Sequence, residues 1–125
     1  MTDATMQKWW RKAVLAYHGN TCVVCGLRRG HGELECHHII KRRYLAARND
    51  FRNGVPVCPG ACHQFADKNE KYLLENSEFK EILLSLKRYT SHKELLFFRE
   101  ITREEWDKET LETLKRVAGD GEWLP

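Results

Sequence analysis

Apolar positions along this chain change period several times, and each change marks a new element. Trp9, Ala13, Ala16 and Tyr17 recur at helical spacing and predict a helix over 5–18, with Thr5 or Asp3 as its cap and Gly19 as its stop. Trp9 and Trp10 are adjacent, so only one of them can point fully inward. Alternation replaces helical spacing over 33–40, where Leu34, Cys36, His38 and Ile40 share one face of a strand and Glu33, Glu35, His37 and Ile39 the other. Between helix and strand, 27–32 reads as a loop tip between strands. A second short strand over 55–58 follows Asn53-Gly54, a turn signal. Pro59-Gly60 breaks the chain, and a helix starts near Ala61 or Cys62. Its inward stripe is Phe65, Ala66, Asn69, Tyr72 and Leu73, while His63, Asp67 and Glu70 fall together on another face.

The remaining third is helical. Ser77 is placed to cap a segment carrying Phe79, Ile82, Leu83, Leu86 and Tyr89, and a break follows near Thr90. The stretch 94–101 is apolar enough for strand or helix. Thr102 and Glu105 form a capping box that opens a last helix through Trp106, Leu111, Leu114 and Val117, ending at Gly119. The tail holds Trp123, docked on the body or left as a contact for another molecule. The pattern as a whole is α+β: one domain over 1–125, a small finger over about 10–75, and helices over about 77–119 that supply apolar core to it.

Composition narrows the class. With 42% hydrophobic and 31% charged residues and no low-complexity run, the chain reads as a soluble globular domain. No apolar run approaches the roughly 18 residues of a membrane span, and the N-terminus lacks the layout of a secretory signal. Five cysteines, four of them in two close pairs, then read as metal ligands in a reducing cytoplasm rather than as disulfides. Charge is unevenly spread. Residues 27–52 hold seven Lys/Arg against three Asp/Glu, whereas 53–125 hold eleven against fourteen. The positive side chains Lys41, Arg42, Arg43 and Arg48 therefore crowd the loop after the two histidines, where a polyanion would dock.

Two donor sets carry the candidate chemistry. Cys22, Cys25, Cys58 and Cys62 offer four thiolates for a closed, structural Zn2+ site. The second pair is spaced C-x3-C, one residue longer than usual, which leaves Cys36 or His63 as alternative fourth ligands. Cys36 otherwise has a plain reading as a small buried side chain. His37, His38 and His63 remain, joined by Asn53. Neutral imidazole, with a pKa near 6.5, suits a general base or a metal ligand at neutral pH. Alternation points His37 and His38 to opposite faces, so one phosphate can meet both only at the strand's end or across a bulge.

Cys22-x2-Cys25-Gly26, Glu35-Cys36-His37-His38-Ile39, Asn53 and Val57-Cys58-x3-Cys62-His63 together resemble the HNH endonuclease family, a treble-clef-like ββα-metal finger with an added four-cysteine zinc. The resemblance covers about residues 10–75. It implies a metal-dependent endonuclease acting on DNA, double-stranded by expectation, in a phage or bacterial setting, leaving 5′-phosphate and 3′-hydroxyl ends. It makes His37 and His63 ligands of a catalytic Mg2+, Mn2+ or other divalent ion, His38 the general base, and Asn53 the residue that fixes the loop between the strands. Asp67 stands where some relatives carry a further ligand. Two other readings use the same residues: a zinc-stabilised nucleic-acid-binding module without catalysis, and a zinc-organised protein-interaction domain. The absence of an appended recognition domain points to weak sequence preference or to targeting by a protein partner.

Overall fold

The computed structural model describes residues 2–87 and 91–119, without the side chains of His31 and His92. Tyr89, Thr90 and the tail with Trp123 lie outside them. Helix α1 (Asp3–Tyr17) starts two residues earlier than its apolar spacing predicts. Its cap is neither Thr5 nor Asp3 but Thr2, whose extended backbone lets its hydroxyl accept the Thr5 N–H at 3.2 Å. Asp3 instead lies in the first turn, where a negative charge favours the helix dipole. The inward tryptophan is Trp10: its stripe runs through Met6, Ala13 and Val14, and its indole N–H donates to the Asp50 carbonyl at 2.9 Å. Trp9 is half-buried and Tyr17 exposed.

After α1 the chain reverses through Gly19 and Asn20, both at positive φ, and Thr21 bridges to Arg28 around the Cys22–Cys25 loop. Residues 27–32 lead through that bridge and a 3₁₀ turn, His31–Glu33, into strand β1 (Glu35–His38). β1 is half the length of the alternating run, because its partner β2 (Gly54–Val57) offers only four residues before Pro59. The pair is antiparallel, with His37 opposite Val55 and His38 opposite Gly54. Between them lie the short helix α2 (Leu45–Arg48) and a 3₁₀ turn, Phe51–Asn53. Asn53-Gly54 is thus not a hairpin turn; Gly54 is extended, at φ −144°, and is the first residue of β2.

Helix α3 (Ala61–Lys68) completes a small ββα-like arrangement, and α4 (Glu70–Glu75) follows after a break at Asn69. That break undoes the long inward stripe: Ala66 and Leu73 are buried, while Phe65 and Tyr72 are 45% and 60% exposed. Helix α5 (Lys80–Leu86) begins after Phe79, and Ser77 accepts the Phe79 N–H from outside the helix rather than capping it. The ambiguous stretch is helical, α6 (His92–Arg99), and α7 (Arg103–Ala118) opens on the Thr102–Glu105 capping box and closes at Gly119 in the left-handed region. Two cores result. One joins Leu15, Leu34, Ile39, Val55, Val57, Ala66 and Leu83 around the sheet; the other packs α1 on α7 through Met6, Trp10, Val14 and Leu114. Among the described residues no helix is long and apolar enough to cross a membrane.

Candidate metal centres and active site

Four thiols meet beyond the Val57 end of β2, the opposite end of the strand pair from His38. The Sγ atoms of Cys22, Cys25, Cys58 and Cys62 all lie within 4.8 Å of one another, and those of Cys25 and Cys58 are 3.7 Å apart. Local geometry brings each of them in. Gly26, at φ +75°, closes the first loop in a conformation that disfavours any residue with a Cβ. Gly60, at φ +84°, absorbs the extra residue of C-x3-C, so that Cys62 sits in the first turn of α3. Cys36 is not among them; its thiol lies 3.8 Å from the Arg11 carbonyl on the α1 side, and burial pushes its pKa up to about 12.

The charge pattern of the four thiols fits a dication. Burial raises the pKa of Cys22, yet the N–H groups of Cys25, Cys58 and Val24 outweigh it and hold this thiol down at about 6. Cys62 is driven up to about 12 by burial and by the neighbouring Cys22 and Cys25, and Cys58 is raised for similar reasons. The Cys22 thiolate is thus comfortable, and Cys58 and Cys62 resist ionising beside it. A bound metal such as zinc relieves that repulsion and lets all four ionise.

The second set lies across β1 and α3. His37 Nδ1 is 3.3 Å and His63 Nε2 3.7 Å from the same oxygen, Oδ1 of Asp67. His37 and His63 pack edge-to-face with centroids 5.6 Å apart. The one-turn spacing of His63 and Asp67 puts both on the face of α3 that meets β1. His63 Nδ1 pairs with Glu35 Oε1 at 2.8 Å, which orients the ring and leaves Nε2 for a ligand. His37 is 8% exposed, and its Nε2 is buried without a hydrogen-bond partner among the described residues. Two imidazoles converge on one carboxylate, each through one ring nitrogen, His37 Nδ1 and His63 Nε2, and form a donor set that suits a divalent cation.

His38 faces the opposite way, as alternation along β1 requires. Its ring lies flat on Trp10, and its Nε2 donates to the Arg48 carbonyl at 3.0 Å. A carbonyl can only accept, so Nε2 carries the hydrogen and Nδ1 is the nitrogen free to take a proton. Burial first, then Arg42, His37 and Arg48, bring its pKa down to about 4, well below the reference of 6.5. His38 is therefore neutral throughout the neutral range. Asn53, 0% exposed, ties the intervening loop: its Oδ1 accepts from Ile40 N at 2.6 Å, and its amide donates to the Ile40 and Ala47 carbonyls at 3.0 and 3.1 Å. Lys41, Arg42 and Arg43 lie exposed on that loop, and Arg48 is turned back onto the Arg42 carbonyl at 2.9 Å.

These buried imidazoles give an acid-stability prediction. His18, His37 and His38 all have pKa values lowered mainly by burial, so the unfolded chain binds protons before the folded one does. Stability should be full above pH about 6.5 and fall as pH drops toward about 4, with His38 alone contributing at most about 3 kcal/mol of the loss. Thermal melts across that range, with metal content monitored, check it; an unchanged melting temperature from pH 7 to 4.5 contradicts it.

Glu35 and Trp10 are the site residues that motif reading passes over. Glu35 shares the His37 face by alternation, and Trp10 begins an i, i+3, i+4 stripe; both signals are present in the sequence. No protein-family model, curated protein or solved structure matches the chain. The site is defined by its own geometry: a small ββα-like unit with one cluster of four cysteines and a second cluster of two histidines and an aspartate.

Proposed function

We propose that this chain is a metal-dependent endonuclease of the HNH type, with DNA as its substrate. The observation that carries the reading is the presence of two distinct donor sets in one ββα-like unit, with His38 next along the strand from the second set. The four-cysteine set is read as structural zinc, because four thiolates leave no open position for substrate. A Mg2+ or Mn2+ ion held by His37, His63 and Asp67 would offset charge gathering on the scissile phosphate and on the departing 3′ oxygen. His38 Nδ1 takes a proton from the attacking water, whose oxygen bonds to phosphorus as the P–O3′ bond breaks. The leaving oxygen is protonated from solvent and becomes a 3′-hydroxyl. Because His37 and His38 face opposite ways, the phosphate has to sit over the end of β1, next to the loop that Asn53 holds.

The exposed side chains of Lys41, Arg42 and Arg43 flank that end of the strand. Replacing Arg42 and Arg43 by alanine should weaken binding to unrelated duplexes alike and lower the salt slope by about 2, one unit per lost phosphate contact. An unchanged slope in a salt titration would turn the loop away from DNA. The catalytic reading is tested by product chemistry: nicks made by the protein should be sealed by DNA ligase, which requires 5′-phosphate and 3′-hydroxyl ends. The rival reading, a zinc-stabilised binding module, draws on the opposed faces of His37 and His38. It predicts duplex binding with no divalent-dependent nicks.

A further inference from the structure

We propose that Trp10 is a positioning residue for His38, an indole platform that fixes the plane of the imidazole, and that Gly54 is the gap through which it reaches the ring. The inference rests on the reading of His38 as the base and extends it to a helix outside the ββα-like unit. The Trp10 and His38 rings are stacked with centroids 3.9 Å apart and planes 4° from parallel. Each is pinned at its edge to the same loop, Trp10 Nε1 to the Asp50 carbonyl at 2.9 Å and His38 Nε2 to the Arg48 carbonyl at 3.0 Å. A ring held on one face and at one nitrogen can neither flip nor tilt freely, so the direction of Nδ1 is set. The indole itself is 3% exposed and backed by Met6, Ala13, Val14 and Leu114.

Gly54 explains how the indole gets there. It is the cross-strand partner of His38, and its φ of −144° suits any residue. Space is what requires glycine: a Cβ there would come within 2.6 Å of Trp10 Cζ2 and 2.5 Å of Val14 Cγ2. The smallest residue therefore stands opposite the proposed base, at the point where α1 presses its tryptophan against the strand. Filling volume alone calls for neither coplanar rings nor two anchored nitrogens.

Trp10→Leu and Trp10→Phe, each with zinc stoichiometry verified, separate positioning from packing. In the wild type the His38 ring protons should resonate upfield, displaced by the indole ring current. Trp10→Leu should abolish that displacement and lower kcat about 10²-fold, the scale of a misplaced catalytic group, while KM for plasmid stays unchanged. Trp10→Phe, which restores a flat ring, should recover most of both. A zinc-loaded Trp10→Leu protein with wild-type kcat, or with the His38 resonances unmoved, overturns the proposal. If Trp10→Leu does not retain zinc, Gly54→Ala supplies the test by forcing the indole off the ring, with the same expected losses and the same overturning results. Should the wild type cut no DNA while Trp10→Leu still releases the upfield shift, the nuclease reading falls and the clamp on His38 stands.

Discussion

His38→Ala should lower DNA cleavage by about 10²–10⁴-fold, the usual worth of a general base, and leave metal content, fold and duplex affinity as they were. The expectation follows from where the side chain lies. His38 touches Trp10 on one face and the Arg48 carbonyl at its edge, and it belongs to neither donor cluster. Removing it therefore takes away a proton acceptor without removing a ligand. His37→Ala and His63→Ala should behave differently. Both residues converge on Asp67, so their loss weakens the divalent site, and raising Mg2+ or Mn2+ should restore part of the activity. Plasmid cleavage across a metal titration separates the two classes. If His38→Ala is the one rescued by metal and His37→Ala the one that stays dead, the roles of the two faces of β1 are reversed.

Cys58→Ser should leave a largely unfolded chain. The four thiols come from the loop after α1, from the β2–α3 connection and from the first turn of α3, so a single metal there would close a long stretch of chain, and ligation in so small a unit is a large part of folding itself. Cys58 is also buried beside Cys22, so the variant keeps the shape of the site and loses the thiolate that would hold the metal. Circular dichroism with metal analysis reads the result. Cys36→Ala is the control: its thiol contacts Arg11 rather than the cluster, and it should keep a full complement of metal at a cost of about 1–2 kcal/mol. A Cys58→Ser protein that melts like wild type would remove the four-cysteine centre from the account.

The four-cysteine set is legible in the sequence as two close pairs, and His63 and Asp67 as one turn of a helix face; that His37 joins them is what the family resemblance implies, not something its distant position in the chain announces. What sequence reading leaves open is settled by backbone detail. The extra residue of C-x3-C is absorbed at Gly60, whose left-handed φ cannot be told from a generic Pro-Gly break. Two apolar stripes of similar quality run along α1, and only the docking of α7 and the Asp50 carbonyl select the one through Trp10. Asn53-Gly54 carries a hairpin signature, but the glycine answers to Trp10 and Val14, about forty residues earlier in the chain. The surroundings of His38 are likewise tertiary: no property of residues 33–40 announces the indole that buries it or the low pKa that follows.

The measurement closest to the central claim is incubation of the purified protein with supercoiled plasmid in Mg2+, in Mn2+, and in chelator at a strength that leaves any metal of the four-cysteine cluster in place. The account predicts nicked or linear product with at least one of the two ions and none with chelator. Plasmid that stays supercoiled under all three conditions, while a shift assay shows it bound, would contradict the nuclease and leave a zinc-stabilised DNA-binding module in its place.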